Sequence, residues 1–213
     1  MNSGLDQLIQ DDVIDASAKP LLKKFVALFE AYNQHTNLSA IRETEAIWLK
    51  HIVDSLMVLK FEPCDGRVLD LGTGGGLPGI PLAIARPEAQ VTLLDSVAKK
   101  IRACQHFMTE LGLENVETVH TRAEQLVNDP IHAKGYDMVL ARATAYLPTI
   151  LDWSAPLLKP DGRIVLYKTS SETELLDGSK AARRLGLSLT NQHAYELDGQ
   201  ARQLLVYKQT KNK

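Results

Sequence analysis

Val68-Leu69-Asp70-Leu71-Gly72-Thr73-Gly74-Gly75-Gly76-Leu77-Pro78-Gly79 joins an apolar run carrying an acid to a glycine loop and a proline able to open a helix. Glycine tolerates positive φ and lets a ligand approach the backbone, and the free N–H groups of a helix start can hold a carboxylate or phosphate. The stretch therefore has the makings of a nucleotide-type cofactor site. A second acid, Asp95, ends the next apolar run, Val91-Thr92-Leu93-Leu94. At the tip of a second strand an acid can accept both ribose hydroxyls of an adenosine, as in NAD and S-adenosylmethionine sites. The plainer reading of Asp95 is a cap for the following helix. Residues 74–79 satisfy G-x-G-x-x-G, yet in the dinucleotide motif the first glycine ends the strand almost directly. Here Asp70 and Gly72 come first, a register that favours S-adenosylmethionine over NAD.

Other residues fall where a ligand of that kind would extend. Thr121-Arg122-Ala123-Glu124 follows the third apolar run, where an adenine would meet a backbone N–H and the Glu124 carboxylate. Arg142 and Lys168 end the fourth and fifth runs, and open α/β sheets bind ligands beyond those strand ends. Both are candidates for orienting a substrate. Lys99, Lys100 and Arg102 could face RNA or simply form a charged helix face, and His51 and Asp54 share a helical face as a structural pair linking cap to sheet. No catalytic base or dyad stands out. After the fourth run comes Ala141-Arg142-Ala143-Thr144, not an Asn-Pro-Pro-Tyr type run that grips an exocyclic amino group, which disfavours adenine-N6 or cytosine-N4 transfer. Cys64 and Cys104 form no CxxC pair or metal-like cluster, so no metal site is expected and a reducing compartment fits. Neither is placed for the covalent attack of C5 methylation.

The elements that must position these residues are legible in outline. Apolar, β-branched-rich runs begin near Val68, Val91, Val116, Met138 and Ile164, separated by helical signals, the spacing of βα units in a parallel sheet. Ser96 can cap the helix after the second strand, with Ile101, Cys104, Phe107, Met108 and Leu111 on its buried side and Gly112 at its end. Leu187–Thr190 and Leu204–Tyr207 flank a polar stretch containing Asp198-Gly199 and read as an antiparallel pair. Five βα strands closed by such a pair describe a class I methyltransferase sheet. A six-stranded dinucleotide fold would end on another parallel crossover. Before the sheet, Pro20 opens one helix and a second runs from about Thr44 to Leu59, forming an N-terminal helical cap over residues 1–62 on a methyltransferase unit at 63–213.

At 213 residues, 45% hydrophobic and 23% charged, the chain has room for one substantial core. Its net charge of −2 argues against coating nucleic acid through global charge, while leaving room for a local basic face. No signal-peptide pattern or bilayer-length apolar run is evident, so the expected location is cytoplasmic, and no dimerisation element departs from a monomer.

Taken together, the loop, Asp95, Arg122-Ala123-Glu124 and Arg142-Ala143 closely resemble the GidB/RsmG family of 16S ribosomal RNA guanine-N7 methyltransferases. The resemblance spans nearly the whole chain. It takes in Tyr32-Asn33, Asn37-Leu38, Ala40-Ile41-Arg42, His51 with Asp54-Ser55, Leu77-Pro78-Gly79-Ile80-Pro81, Leu93-Leu94-Asp95-Ser96 and Leu157-Leu158-Lys159-Pro160. It implies a class I S-adenosylmethionine-dependent fold with a seven-stranded, mostly parallel sheet and one antiparallel C-terminal strand. It further implies cofactor contacts at Gly72, Leu77, Ala123, Glu124 and Arg142, beside Asp70, Gly74, Gly76 and Asp95 from the loop and second strand. The implied substrate is a guanine in the decoding-region loop of small-subunit rRNA. Val97-Ala98-Lys99-Lys100 and Lys168-Thr169 depart from the family's usual Gly-Lys-Arg and Lys-Gly. An NAD(P)-dependent oxidoreductase and a non-catalytic ribosome-assembly factor are the alternatives.

Overall fold

A computed structural model describes residues 3–169 and 171–210. Its centre is a seven-stranded sheet ordered β3-β2-β1-β4-β5-β7-β6, from β1 (Arg67–Leu71), β2 (Gln90–Asp95), β3 (Val116–His120), β4 (Tyr136–Arg142), β5 (Leu158–Lys168), β6 (Leu187–Leu197) and β7 (Gln200–Gln209). The first five strands pair in parallel, and β7 inserts antiparallel between β5 and β6. Both turn residues of the β6–β7 hairpin have positive φ, 55° at Asp198 and 66° at Gly199, the backbone a two-residue turn of that twist requires. The expected antiparallel pair is thus present; β6 begins at Leu187 as expected and runs on to Leu197, and β7 extends beyond its apolar segment at both ends.

Strand order reverses between β1 and β4, which opens a crevice at their carboxyl ends. Successive strand residues point to opposite faces, and both faces are covered, so nearly every position is apolar. Val68, Val91, Leu93, Met138, Leu140 and Val165 join one core cluster; Leu69, Leu71, Leu94, Val139, Ile164 and Leu166 join the other. On the first face lie α1 (Ser3–Gln10), α2 (Ala18–Thr36), the helical stretch 44–60, α5 (Gly79–Ala85) and α6 (Ala98–Leu111). The second face holds α7 (Ala123–Leu126), α8 (Leu147–Ser154) and α9 (Glu172–Arg184). Leu22, Phe25, Phe29, Ile52 and Leu56 share the cluster of Val68 and Leu140, so the N-terminal helices and the sheet bury one common core. Among the described residues no helix is long and apolar enough to cross a membrane.

Several local expectations need correction. α2 begins at Ala18, which places Pro20 inside its first turn, where a missing N–H costs nothing. α1 carried no cap or proline that marked it in advance. The stretch expected as one helix from Thr44 to Leu59 consists of α3 (Thr44–Ile47), a π-helical segment (Trp48–Val53), α4 (Asp54–Leu56) and a 3-10 turn (Met57–Lys60). The cause is visible in its apolar spacing. Ile47 and Ile52, both 1% exposed, stand five residues apart, and the i→i+5 bonding of a π turn returns such a pair to one face. Ser96 does not cap α6: the N-cap is Val97, whose N–H is accepted by Asp95 Oδ1 at 2.9 Å. Gly112 does end that helix, in the left-handed conformation at φ 66°.

Candidate active site

The glycine loop leaves β1 and is tied to β2 at once, with the Gly72 and Thr73 N–H groups donating to Leu94 O at 2.8 and 2.9 Å. Asp70, fully buried, organises the rest. Its Oδ2 accepts from Thr73 Oγ1 at 2.6 Å and from the Gly79 N–H at 2.8 Å. The helix start foreseen as a ligand's anion site therefore holds the protein's own carboxylate. Burial pushes Asp70 up from 3.8 to about 6 despite those two bonds, and its Oδ1 is buried with no partner among the described residues.

The glycines divide by what they face. A Cβ on Gly72 would stand 2.4 Å from Thr144 Cγ2, and one on Gly76 2.3 Å from Ile80 Cδ1; both residues also have positive φ. A Cβ on Gly75 would meet Phe29 Cε2 at 2.6 Å, so this glycine lets α2 close on the loop. Gly74 alone of the four looks onto open space, at φ 59°. Leu77 is 7% exposed and belongs to the core beneath.

Beside Gly74 lies a cavity of about 280 Å³ lined by Leu71, Gly72, Leu94, Asp95, Ser96, Val97, Lys100, Thr121, Arg122, Ala123, Glu124, Ala143, Thr144 and Trp153. It sits at the carboxyl ends of β1, β2, β3 and β4. Both carboxylate oxygens of Asp95 engage the protein's own backbone. Its Oδ2 accepts the Gly74 N–H at 3.0 Å, its Oδ1 turns the chain into α6, and Lys100 Nζ lies 3.6 Å away. A carboxylate has about four lone-pair sites, so two N–H bonds leave capacity for a diol. Asp95, Gly72, Ala123 and Glu124 thus line one cavity, with the Asp95 carboxylate at the tip of β2, while Gly74, bonded to Asp95, is not among the lining residues. This donor set fits an adenosyl cofactor.

Arg142 and Lys168 are placed differently. Arg142 reaches away from the cavity into the N-terminal helices, its Nη1 donating to Lys50 O at 3.1 Å, His51 O at 3.5 Å and Asp54 Oδ2 at 3.1 Å. Asp54, 0% exposed, also accepts from Tyr195 OH at 2.8 Å and Arg202 Nη1 at 3.3 Å, which joins α4 to β4, β6 and β7. His51 instead lies 2.8 Å from Ser39 Oγ through Nε2 and packs edge-on against Phe29. Of the expected pair only the Asp54 side chain links helices to sheet; the His51 side chain finds its partners within the N-terminal segment. Burial, then the Arg142 charge, draws His51 down from 6.5 to about 4. Lys168 Nζ is engaged by Ala145 O at 2.9 Å and Glu174 Oε1 at 2.6 Å, and so clamps the loop after β4.

Sequence reasoning missed Thr144, which fills the space over Gly72 while its Oγ1 donates to Leu71 O at 3.0 Å, and Trp153 in the cavity wall. Asn33, named above only within a segment resembling the family, is 1% exposed in α2, and its amide holds the loop that follows through Ser39 N, Ser39 O and Ile41 O at 2.9–3.2 Å. A lone Asn among the buried apolar positions of α2 was the available signal. Both thiols are buried: burial pushes Cys64 up to about 12 and raises Cys104 further, which disfavours the nucleophilic thiolate, and Cys104 Sγ is turned to Gly74 O.

Comparison with known proteins agrees with this geometry. Among solved structures, the chain superposes on the B. subtilis M1A22 tRNA methyltransferase TrmK with a TM-score of 0.60 at 14% identity, covering 76% of this chain and 67% of that one. A SAM dependent methyltransferase from Aquifex aeolicus gives 0.57 at 16% identity, covering 76% and 92%. These likenesses show the fold. Sequence relatives are nearer. Ribosomal RNA small subunit methyltransferase G of Desulforamulus reducens is 39% identical over 194 residues, 89% of this chain and 81% of that protein. Its counterpart in Deinococcus radiodurans is 43% identical over 188 residues, 86% and 74%. The family model described as "GidB: rRNA small subunit methyltransferase G" matches residues 18–205. The nicotinamide and non-enzymatic alternatives give way, and the chain belongs to the rRNA small subunit methyltransferase G family of S-adenosylmethionine-dependent enzymes.

Proposed function

We propose that this methyltransferase moves the methyl group of S-adenosylmethionine to N7 of one guanine in the decoding-region loop of small-subunit 16S rRNA. The observation that carries the reading is the cavity at the carboxyl ends of β1–β4, bounded by Asp95, Gly72, Ala123 and Glu124, in a chain of this family. In that cavity Asp95 would accept the ribose hydroxyls, Ala123 and Glu124 would meet the adenine edge, and Gly72 and Gly74 would let the amino-acid end approach the backbone. Asp70, Gly76 and Leu77 would act from behind, by fixing the loop's shape.

The cofactor supplies an electrophilic sulfonium methyl. Guanine N7 carries an in-plane lone pair and no proton, so the chain need not provide a general base. Its residues bind, orient and exclude water, and holding two reactants in line can lower a barrier by about 7–11 kcal/mol in ideal cases. Arg142, engaged by Asp54 and by the Lys50 and His51 carbonyls, would act on the substrate side indirectly, by holding the N-terminal helices at the end of β4. Lys168 contributes by holding the loop after β4. The buried thiols speak against a covalent route through cysteine.

The test is transfer of labelled methyl groups to small subunits and to naked 16S rRNA from a strain lacking the enzyme, followed by cleavage at N7-methylguanine. Label confined to one decoding-region guanine with strand scission there is expected. Label at another position, or label resistant to that cleavage, would refute the guanine-N7 assignment.

A further inference from the structure

The loop leaving β4 is tied down along its length and yet presents an open aromatic ring. Thr144 Oγ1 donates to Leu71 O and Arg142 O at 3.0 and 3.2 Å, Ala145 O accepts from Lys168 Nζ, and the Leu147 N–H is taken by Glu174 Oε1 at 2.8 Å. Tyr146 itself is held by its hydroxyl, which donates to Asp177 Oδ2 at 2.9 Å, while its side chain leaves the residue 47% exposed. The hydroxyl is anchored while about half of the residue stays open to solvent.

Local structure does not call for a tyrosine there. Tyr146 is the N-cap of α8, a position that favours Ser, Thr, Asp or Asn, and its side chain caps nothing. Glu174 does the capping from α9. The residue nevertheless follows Ala143 and Thr144, which line the cavity, beyond the carboxyl end of β4, where open α/β sheets take their ligands.

We propose that Tyr146 is a stacking platform for an unpaired base of the substrate RNA, either the target guanine or its neighbour. Sequence-specific RNA recognition targets splayed-out loop bases, which stack on aromatic rings, and a ring whose hydroxyl is already anchored has less freedom left to lose on binding. The inference rests on the rRNA-methylating reading above and adds a residue to its substrate side.

Steady-state methylation of unmodified small subunits tests it with Tyr146→Ala, Tyr146→Phe and Tyr146→Trp, each checked for native circular dichroism. Loss of base–aromatic stacking is expected to raise the KM for subunits by about 5- to 150-fold in Tyr146→Ala. The KM for S-adenosylmethionine should not change, and Phe and Trp should stay within about threefold of wild type because the ring persists. If the target guanine is the stacked base, kcat of the Ala variant falls as well; if a neighbour is, only KM moves. Wild-type KM in Tyr146→Ala, or Phe and Trp impaired as much as Ala, would overturn the proposal. Filter binding of the same variants to subunits scores the platform even should wild-type enzyme place its methyl elsewhere, which separates this failure from failure of the guanine-N7 reading.

Discussion

Replacing Asp54 by alanine perturbs the charged junction on which the carboxyl edge of the sheet is assembled. The carboxylate is 0% exposed and takes three donors, Arg142 at 3.1 Å, Arg202 at 3.3 Å and Tyr195 at 2.8 Å. The arginine side chains are 12% and 22% exposed, so their charges are largely shielded from water. Removing one member of a buried pair costs about 3–5 kcal/mol because the other charge is left uncompensated. Partial exposure of the two guanidinium groups places the expectation near the lower figure, about 3 kcal/mol for Asp54→Ala. Tyr195→Phe deletes only a hydrogen bond to a charged acceptor and should cost about 1.5–3 kcal/mol. Urea titration with comparison of slopes, so that a change in midpoint reads as a change in stability, is the assay. At this chain length 3 kcal/mol corresponds to a fall in Tm of about 6–12 °C. The two substitutions share a partner, so the double variant should lose less than the sum of the singles. A loss under about 1 kcal/mol in Asp54→Ala, the range of an exposed ion pair, would refute the reasoning.

Two buried groups set opposing pH dependences. Asp70, raised by burial from 3.8 to about 6, contributes stability present below pH 3.8 and lost as pH rises through 6; His51, lowered from 6.5 to about 4, contributes stability present above pH 6.5 and lost as pH falls through 4. Each amounts to on the order of 3 kcal/mol, less for the partly buried His51, so they largely cancel in wild type, whereas Asp70→Asn should grow more stable from pH 4 to 6.5 and His51→Gln less stable, as read by urea midpoints across that range. Asp95→Ala should weaken S-adenosylmethionine binding ten-fold or more by calorimetry, since charged hydrogen bonds contribute about 1.5–3 kcal/mol each and the Gly74 and Val97 N–H groups lose their acceptor too. Gly75→Ala drives a Cβ into Phe29 and should destabilise by about 1–3 kcal/mol in thermal unfolding, with the extra cost largely relieved in the Gly75→Ala/Phe29→Leu double variant.

The strands were readable because burial on both faces demands near-continuous apolar runs, and no distant partner is needed to recognise Val91-Thr92-Leu93-Leu94 as one. The glycine loop was readable in place but less so in purpose. Spacing shows that glycines are present; it does not show that Thr144 fills the space over Gly72, that Phe29 closes on Gly75, or that only Gly74 looks outward. Those reasons come from residues far away in the chain. Arg142 illustrates the same limit. A cation at the end of β4 has one appearance whether it awaits a ligand or binds its own protein, and the deciding partner, Asp54, stands on a helix whose π turn the expected regular period concealed. The same holds for the polar residues between α2 and the end of β4. Asn33 fixes Ser39 and Ile41, Arg42 donates back to Asn33 O, Ser39 meets His51, and the His51 carbonyl accepts from Arg142. This polar chain runs from α2 to the end of β4 and fastens the N-terminal helices at the carboxyl edge of the sheet. Short-range pattern identifies the residues that make the sheet and the loop. The polar residues that join the two ends of the chain at that edge acquire their meaning only when the fold brings their partners within reach.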